Sequence, residues 1–478
     1  MNIVRAIAKN TLVLMVGRII TIGLTYFYTI YTARYLGAQG FGILSFAIAF
    51  TGIICLLADL GLSVLTTREI SRNNLLAGRY IGNILAIKTI LAIFTFGFTV
   101  IVINLLGYPS KTILVVYMIT FSTIFSSFSD VFNSIFQAFQ KMEYISFGVI
   151  LNSVLMFIGI VIAISQNQDL IIVASIYLFA SLIIFLYSLC ICIWKFLIPK
   201  IELDFSFWKK LLKDSIPFWM SSVFIILYFR IDMIMLSMMK GDAAVGWYSA
   251  SYRLIDGLSL IPSVFMSVMF PVFSKYYIYS KNSLEVAFIK SLKFITIIAI
   301  PIGIGITILS NEIIMFIFGN EYAPSVPALK IIIWASVFSF INFTPATLLN
   351  STNKHKVLMI FTFVGAILNI TLNFFLIPSF SYLGAGIATV ITEFIVGLLM
   401  ISFIQKTHNF LIPFLNTAFR SLVSSLLMGI FILIFKSYSL LLLIPISSVI
   451  YFVSLLIVKG IKKDEFNSLS RALGDKNG

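Results

Sequence analysis

The chain has 478 residues, 60% of them hydrophobic and only 11% charged, with a formal net charge of +15. That much apolar surface cannot be hidden in a soluble core, so the composition excludes a soluble enzyme and points to an integral membrane protein. The excess positive charge is not a nucleic-acid footprint, because the lysines and arginines gather in alternate loops between apolar stretches.

Apolar segments of about 20 residues, the length of a spanning helix, recur along the whole chain, and the ~10-residue alternating strands of an outer-membrane barrel are absent. The pattern predicts about fourteen spans, at roughly 11–33, 41–60, 81–106, 112–136, 145–165, 170–194, 214–239, 244–270, 287–309, 327–350, 357–377, 383–404, 414–435 and 439–458. The leading MNIVRAIAKN lacks a small-residue cleavage site, so the first span is expected to be retained. An even number of spans puts both termini on one face. Roughly 23 Lys and Arg fall on that face and about five on the other, which predicts cytoplasmic termini and a plasma-membrane location.

The longest polar break, Lys195 to Asp214, separates six spans from eight. Across it the chain repeats itself: Leu36 to Ser45 (LGAQGFGILS) resembles Lys240 to Ser249 (KGDAAVGWYS), each at the turn after the first span of its half. Gln140-Lys141 and Asn353-Lys354 likewise occupy matching turns. A repeated six-span unit predicts two pseudo-symmetric lobes around a central cavity, with a substrate path between them. The expected organisation is an N-terminal lobe at 1–194, a cytoplasmic linker at 195–213, a C-terminal lobe at 214–404, two additional spans at 405–460 and a cytoplasmic tail at 461–478.

The functional statement of the sequence is concentrated in Tyr228 to Gly257. Two apolar runs flank Lys240-Gly241-Asp242, with Arg230 and Asp232 before the break and Arg253, Tyr252 and Asp256 after it. Each arginine lies roughly ten residues from the break, about 15 Å deep at 1.5 Å per residue, near the middle of the bilayer. Charges at that depth face a protein interior or a watery cavity. Arg230 and Asp232 are two apart and cannot pair on one helix, whereas Arg253 and Asp256 are three apart and can. Either the four groups knit two helices together, or the arginines offer their planar forks to an anionic headgroup. Tyr228, Trp247, Tyr248 and Tyr252 offer aromatic faces on which sugars stack, although aromatics also serve as interface anchors.

Arg18, one turn into the first span, either faces the cavity or snorkels to the surface. Arg34 reads as exposed and interfacial. Asp59 caps the helix carrying Arg68, Glu69 and Arg72, and Lys88 and Asp130 lie where snorkelling is cheap. Glu393, near mid-depth without a local partner, is a proton-site candidate alongside Asp232 and Asp256. Asn369 and Asn373 share a helix face, for packing or substrate contact. Gly384, Ala385, Gly386 and Ala388 suggest close helix packing, and Pro217, Pro262, Pro271, Pro301 and Pro345 bend or end spans. Gly82 to Thr89 ends like a P-loop but lacks its second glycine and lies in a span. Gly303 and Gly305 lack the third dinucleotide glycine. His355 and His408 form no zinc cluster, and Cys55, Cys190 and Cys192 read as buried thiols. No catalytic nucleophile, metal site or cofactor is expected beyond a coupling ion, H+ or Na+.

Taken together, Arg34-Tyr35-Leu36-Gly37 with Gly40-Phe41-Gly42, Arg230-Ile231-Asp232, Val245 to Leu254, and Leu372-Asn373 through Ile377-Pro378 to Gly384-Ala385-Gly386-Ile387-Ala388-Thr389 resemble the polysaccharide (Wzx-type) flippases of the multidrug/oligosaccharidyl-lipid/polysaccharide exporter superfamily. The resemblance runs over essentially the whole chain. It implies two six-helix lobes, a cationic cavity, alternating access, ion coupling and a polyprenyl-(pyro)phosphate-linked oligosaccharide as substrate. Membrane lipids, and the glycosyltransferases and polymerase of the same pathway, are the implied partners. Competing readings are a lipid II-type flippase or a drug/cation antiporter of the same superfamily. A membrane-embedded glycosyltransferase or polymerase would show an acidic catalytic motif or a large exterior loop, and neither is visible.

Overall fold

The computed structural model of the chain describes residues 3–408, 410, 414–458 and 460, with side chains from residue 20 onward except at 414 and 415. The expected tail at 461–478 and the side chain of Arg18 lie outside these residues. Every regular element among the described residues is helical. Among the described residues twelve helices are long and apolar enough to cross a membrane. Two of them are bent part-way, at Gly37 and at Ser381, and each bend yields two membrane-length rods. Counted as separate rods, the described residues thus hold fourteen segments of membrane-spanning length, close to the places the apolar runs predict.

The chain forms two compact units, Met1–Ser249 and Ala250–Gly478. The first holds α1 (Ile3–Ile54), α2 (Leu56–Asp59), α3 (Leu62–Arg72), α4 (Ala77–Leu105), α5 (Ser110–Ala138), α6 (Met142–Ser165), α7 (Leu170–Lys195) and α8 (Phe205–Lys240), and the start of α9 (Asp242–Leu258). Within it α1 packs on α6 and α8, and α5 packs on α7, α3 and α4. Leu62, Ile84, Val131, Phe132, Ile135 and Leu211 form a dry core where α3, α4, α5 and α8 meet. The second unit holds the rest of α9, then α10 (Leu260–Tyr279), α11 (Lys281–Ile317), α12 (Ser325–Ser351), α13 (His355–His408), α14 (Phe414–Ile434) and α15 (Leu440–Ile457). There α12 packs on α11 and α13, and α11 carries α14. Large apolar side chains such as Ile93, Phe179, Phe375 and Leu441 remain exposed, as expected of surfaces bathed in lipid tails.

The internal repeat is written in the backbone. Left-handed residues recur in matched pairs: Gly37 (φ 66) with Gly241 (φ 82), Gly107 (φ 70) with Gly319 (φ 89), Gln140 (φ 57) with Asn353 (φ 59), and Asn167 (φ 51) with Ser381 (φ 52). Gly37 and Gly241 agree in ψ as well, at 178 and 177. A side chain is strained at such angles, which is why glycine stands at both. Among the described residues two left-handed positions have no counterpart in the other half, Leu60 (φ 47) and Gly61 (φ 76), at the break between α2 and α3.

Two anchors follow from local chemistry. The charged break before α8 lies against the start of α4. There Asn83 accepts from the Asp204 N–H at 3.0 Å and the Trp208 indole at 2.9 Å, and donates to Glu202 at 3.0 Å. A Cβ on Gly82 would fall 3.2 Å from the Lys200 carbonyl carbon and closer still to its oxygen, so this glycine admits the linker backbone. At the other end of the chain, Pro301 inside α11 removes the N–H that would bond the Ile297 carbonyl. The Tyr451 hydroxyl donates to that carbonyl at 2.7 Å, fastening α15 to α11. Pro217, Pro271 and Pro345 also lie inside helices, while Pro262 sits in the first turn of α10.

Candidate functional site

The residues singled out by sequence sit on α8 and α9. Arg230 is half-buried in α8 and makes no hydrogen bond or ion pair among the described residues. Asp232, two positions on, points to another side of the helix and is 3% exposed. One oxygen accepts the Met233 N–H at 2.8 Å, and the other accepts the Tyr248 hydroxyl at 2.5 Å. Tyr248 is fully buried, so its ring is not an open stacking face: its role is to bridge α9 to the α8 carboxylate. Tyr252 is buried as well. Arg253 and Asp256 pair on the face their spacing predicts, at a loose 3.8 Å, and both side chains keep about a third of their surface exposed (30% and 38%).

Glycine places the first turns of α9. A Cβ on Gly246 would lie 2.7 Å from the Ala38 carbonyl carbon, and one on Gly42 would lie 2.6 Å from the Asp242 carbonyl carbon. The two copies of the repeated glycine motif therefore touch each other, main chain to main chain, which fixes how α9 lies against α1. Next to this contact Tyr108 donates to Ser237 and Ser237 to Asp242, both at 3.0 Å.

In the second unit, Glu393 is 6% exposed, and its partner comes from another helix. The Asn342 amide on α12 donates to its carboxylate at 2.8 Å and to its carbonyl at 2.9 Å. Gly397, one turn further on, leaves room for that amide, since a Cβ there would lie 3.2 Å from Asn342 Cγ. Asn373 donates to Asn369 at 2.8 Å, and both are buried. Lys88, expected to snorkel, is instead 1% exposed and bonded to Asp59 at 2.6 Å. Arg34 and Asp130 are exposed, Cys55 and Cys192 are buried, and Cys190 is exposed. Among the described residues no group of histidine, cysteine or carboxylate side chains could hold a metal.

The family model described as "Polysaccharide biosynthesis protein" matches residues 7–277, more than half of the chain. The chain belongs to that family. A second model, MatE, matches residues 217–375, which sets the family within the multidrug/oligosaccharidyl-lipid/polysaccharide exporter superfamily of membrane transporters and flippases. The chain is 28% identical over 206 residues to an uncharacterized membrane protein of Methanocaldococcus jannaschii, covering 43% of this chain and 40% of the other. It is 22% identical over 390 residues to the "Probable low-salt glycan biosynthesis flippase Agl15" of Haloferax volcanii, covering 81% of each. The chain thus spans under half the length of the first relative and most of the second. Its fold matches that of the lipid II flippase MurJ in an inward closed conformation, with TM-score 0.77, 18% identity, and coverage of 96% of this chain and 100% of that one.

Proposed function

We propose that this protein translocates a polyprenyl-(pyro)phosphate-linked oligosaccharide from the cytoplasmic to the outer leaflet by alternating access, with both termini cytoplasmic. The observation that carries the reading is the pair of mid-helix arginines. The Arg230 guanidinium makes no hydrogen bond or ion pair among the described residues, and Arg253, beside Asp256 at 3.8 Å, keeps 30% of its side chain exposed. A lipid pyrophosphate crosses a bilayer slowly because its charge must shed water. Arginines at mid-depth replace that water with fixed donors that stay charged at any relevant pH. The family match over residues 7–277 and the similarity, over 81% of each chain, to the "Probable low-salt glycan biosynthesis flippase Agl15" support the same class of cargo. No bond in the cargo need break, so the chemistry is binding and release, and pathway glycosyltransferases and a polymerase would supply and consume the cargo.

Release needs the grip to weaken, and coupling to a proton or sodium gradient supplies the work. Asp232, Asp256 and Glu393 are the candidates. The test is transport of defined lipid-linked glycans, lipid II included, in proteoliposomes. Arg230→Ala and Arg253→Ala are each expected to lower translocation at least tenfold while the protein stays folded and inserted. Wild-type rates in both variants would reduce the arginines to helix-packing groups, and transport of lipid II alone would reassign the cargo.

A further inference from the structure

The helix break that the second half does not repeat holds a feature the substrate reading leaves unused. Between α2 and α3 the chain reverses hand at Leu60 and Gly61, and the end of α2 presents Asp59. Lys88 enters this break from the middle of α4. Its ammonium is surrounded by oxygen: Asp59 Oδ1 at 2.6 Å, the Ser127 carbonyl at 2.6 Å, Ser127 Oγ at 3.0 Å and Ser63 Oγ at 3.1 Å. The cage is itself braced. Asp59 also accepts from the Ser63 hydroxyl and the Gly61 N–H, and Ser134 donates to the Ser63 carbonyl at 2.9 Å. Asp130 on α5 lies close enough to feel the charges of both Asp59 and Lys88.

One carboxylate, one main-chain carbonyl and two hydroxyls make the oxygen set that hard cations choose. A discontinuous helix in a membrane is also where transporters coordinate coupling ions. Yet the centre of this set is taken by a side chain that is 1% exposed. We propose that the Asp59–Ser63–Ser127 cage is a monovalent-cation site whose cation is built into the chain: Lys88 Nζ stands where a sodium ion would otherwise sit. An ammonium and a sodium ion carry the same charge and seek the same oxygens. The lysine closes the break with a charge that cannot dissociate, so the first unit needs no free ion at this place. Removing the side chain opens a site for one.

The inference is independent of the cargo. It is tested on the full-length protein in detergent by melting temperature in sodium chloride and in choline chloride at equal ionic strength, since choline is too large for the cage. The readout is the sodium increment of each variant over that of wild type. Lys88→Ala is expected to fold in sodium and to gain a saturable increment of roughly 2–4 °C. Lys88→Ala combined with Asp59→Asn, which strips the carboxylate from the cage, is expected to lose it. An absent increment in Lys88→Ala, an increment that persists in the double variant, or failure of Lys88→Ala to fold even in sodium would each overturn the proposal.

Discussion

Gly246→Ala tests the main-chain contact on which the arginine-bearing helix is seated. The added Cβ would stand 2.7 Å from the Ala38 carbonyl carbon and 3.1 Å from its Cα. Carbon atoms rest about 3.5–4.0 Å apart, so α9 and α1 must separate by roughly 1 Å. Both obstacles are backbone, and no rotamer change relieves them. Forced overpacking of this kind costs about 1–3 kcal/mol. Gly52→Ala, in the same α1 and with nothing within 4 Å of its would-be Cβ, is the control. It gains helix propensity of about 1 kcal/mol. The two alanines should therefore differ by about 2–4 kcal/mol in opposite senses around wild type. Unfolding in detergent, followed by heat or denaturant, reads the difference. Gly42→Ala meets the Asp242 carbonyl carbon at 2.6 Å and should behave like Gly246→Ala. The double variant should cost less than the sum, because one displacement relieves both clashes. If Gly246→Ala unfolds together with Gly52→Ala, the contact does not hold α9 and the argument fails.

Tyr451→Phe should cost about 1–3 kcal/mol by leaving the Ile297 carbonyl without a donor, and Pro301→Ala should suppress the loss by restoring the helical N–H; equal losses in both backgrounds would refute the link. Glu393→Gln keeps an acceptor for Asn342, so the protein should fold normally while export loses its dependence on the proton gradient; unchanged gradient dependence would clear this residue. Asp204 is held down at about 2 by hydrogen bonds from the Ser206 hydroxyl, Arg79 and the Phe207 N–H. A carboxylate with a depressed pKa stabilises the fold above its unfolded value and loses that contribution as pH falls through its folded one. Asp204→Asn should therefore melt below wild type at neutral pH, and the gap should close as pH drops from about 4 toward 2; a gap that persists in acid would assign the effect to shape rather than charge.

The crossings were legible because a bilayer leaves the chain little choice: each span needs about 20 apolar residues, and the polar breaks then mark the turns. The repeat was legible where the backbone demands glycine, at Gly37 and Gly241, and at the turns marked by Gln140 and Asn353. It was illegible at Asn167 and Ser381, which share a left-handed conformation but not a residue type. Among the charges, the pair one turn apart on a single helix, Arg253 and Asp256, could be read from spacing. Partners on different helices could not: Tyr248 is 16 positions from Asp232, and Asn342 is 51 from Glu393. A signal for the second was present in Gly397, one turn after the carboxylate, marking the side of α13 where a neighbour comes close. Lys88 was misread because the flexibility of a lysine stem makes snorkelling the cheap outcome near a helix end. Its position eleven residues into α4, about 16 Å from the helix start, is beyond that reach. A cation so deep must find its oxygens within the protein. Asp59 and Ser63, on either side of the break at Leu60 and Gly61, supply two of them from their side chains, and Ser127 on α5 supplies the others.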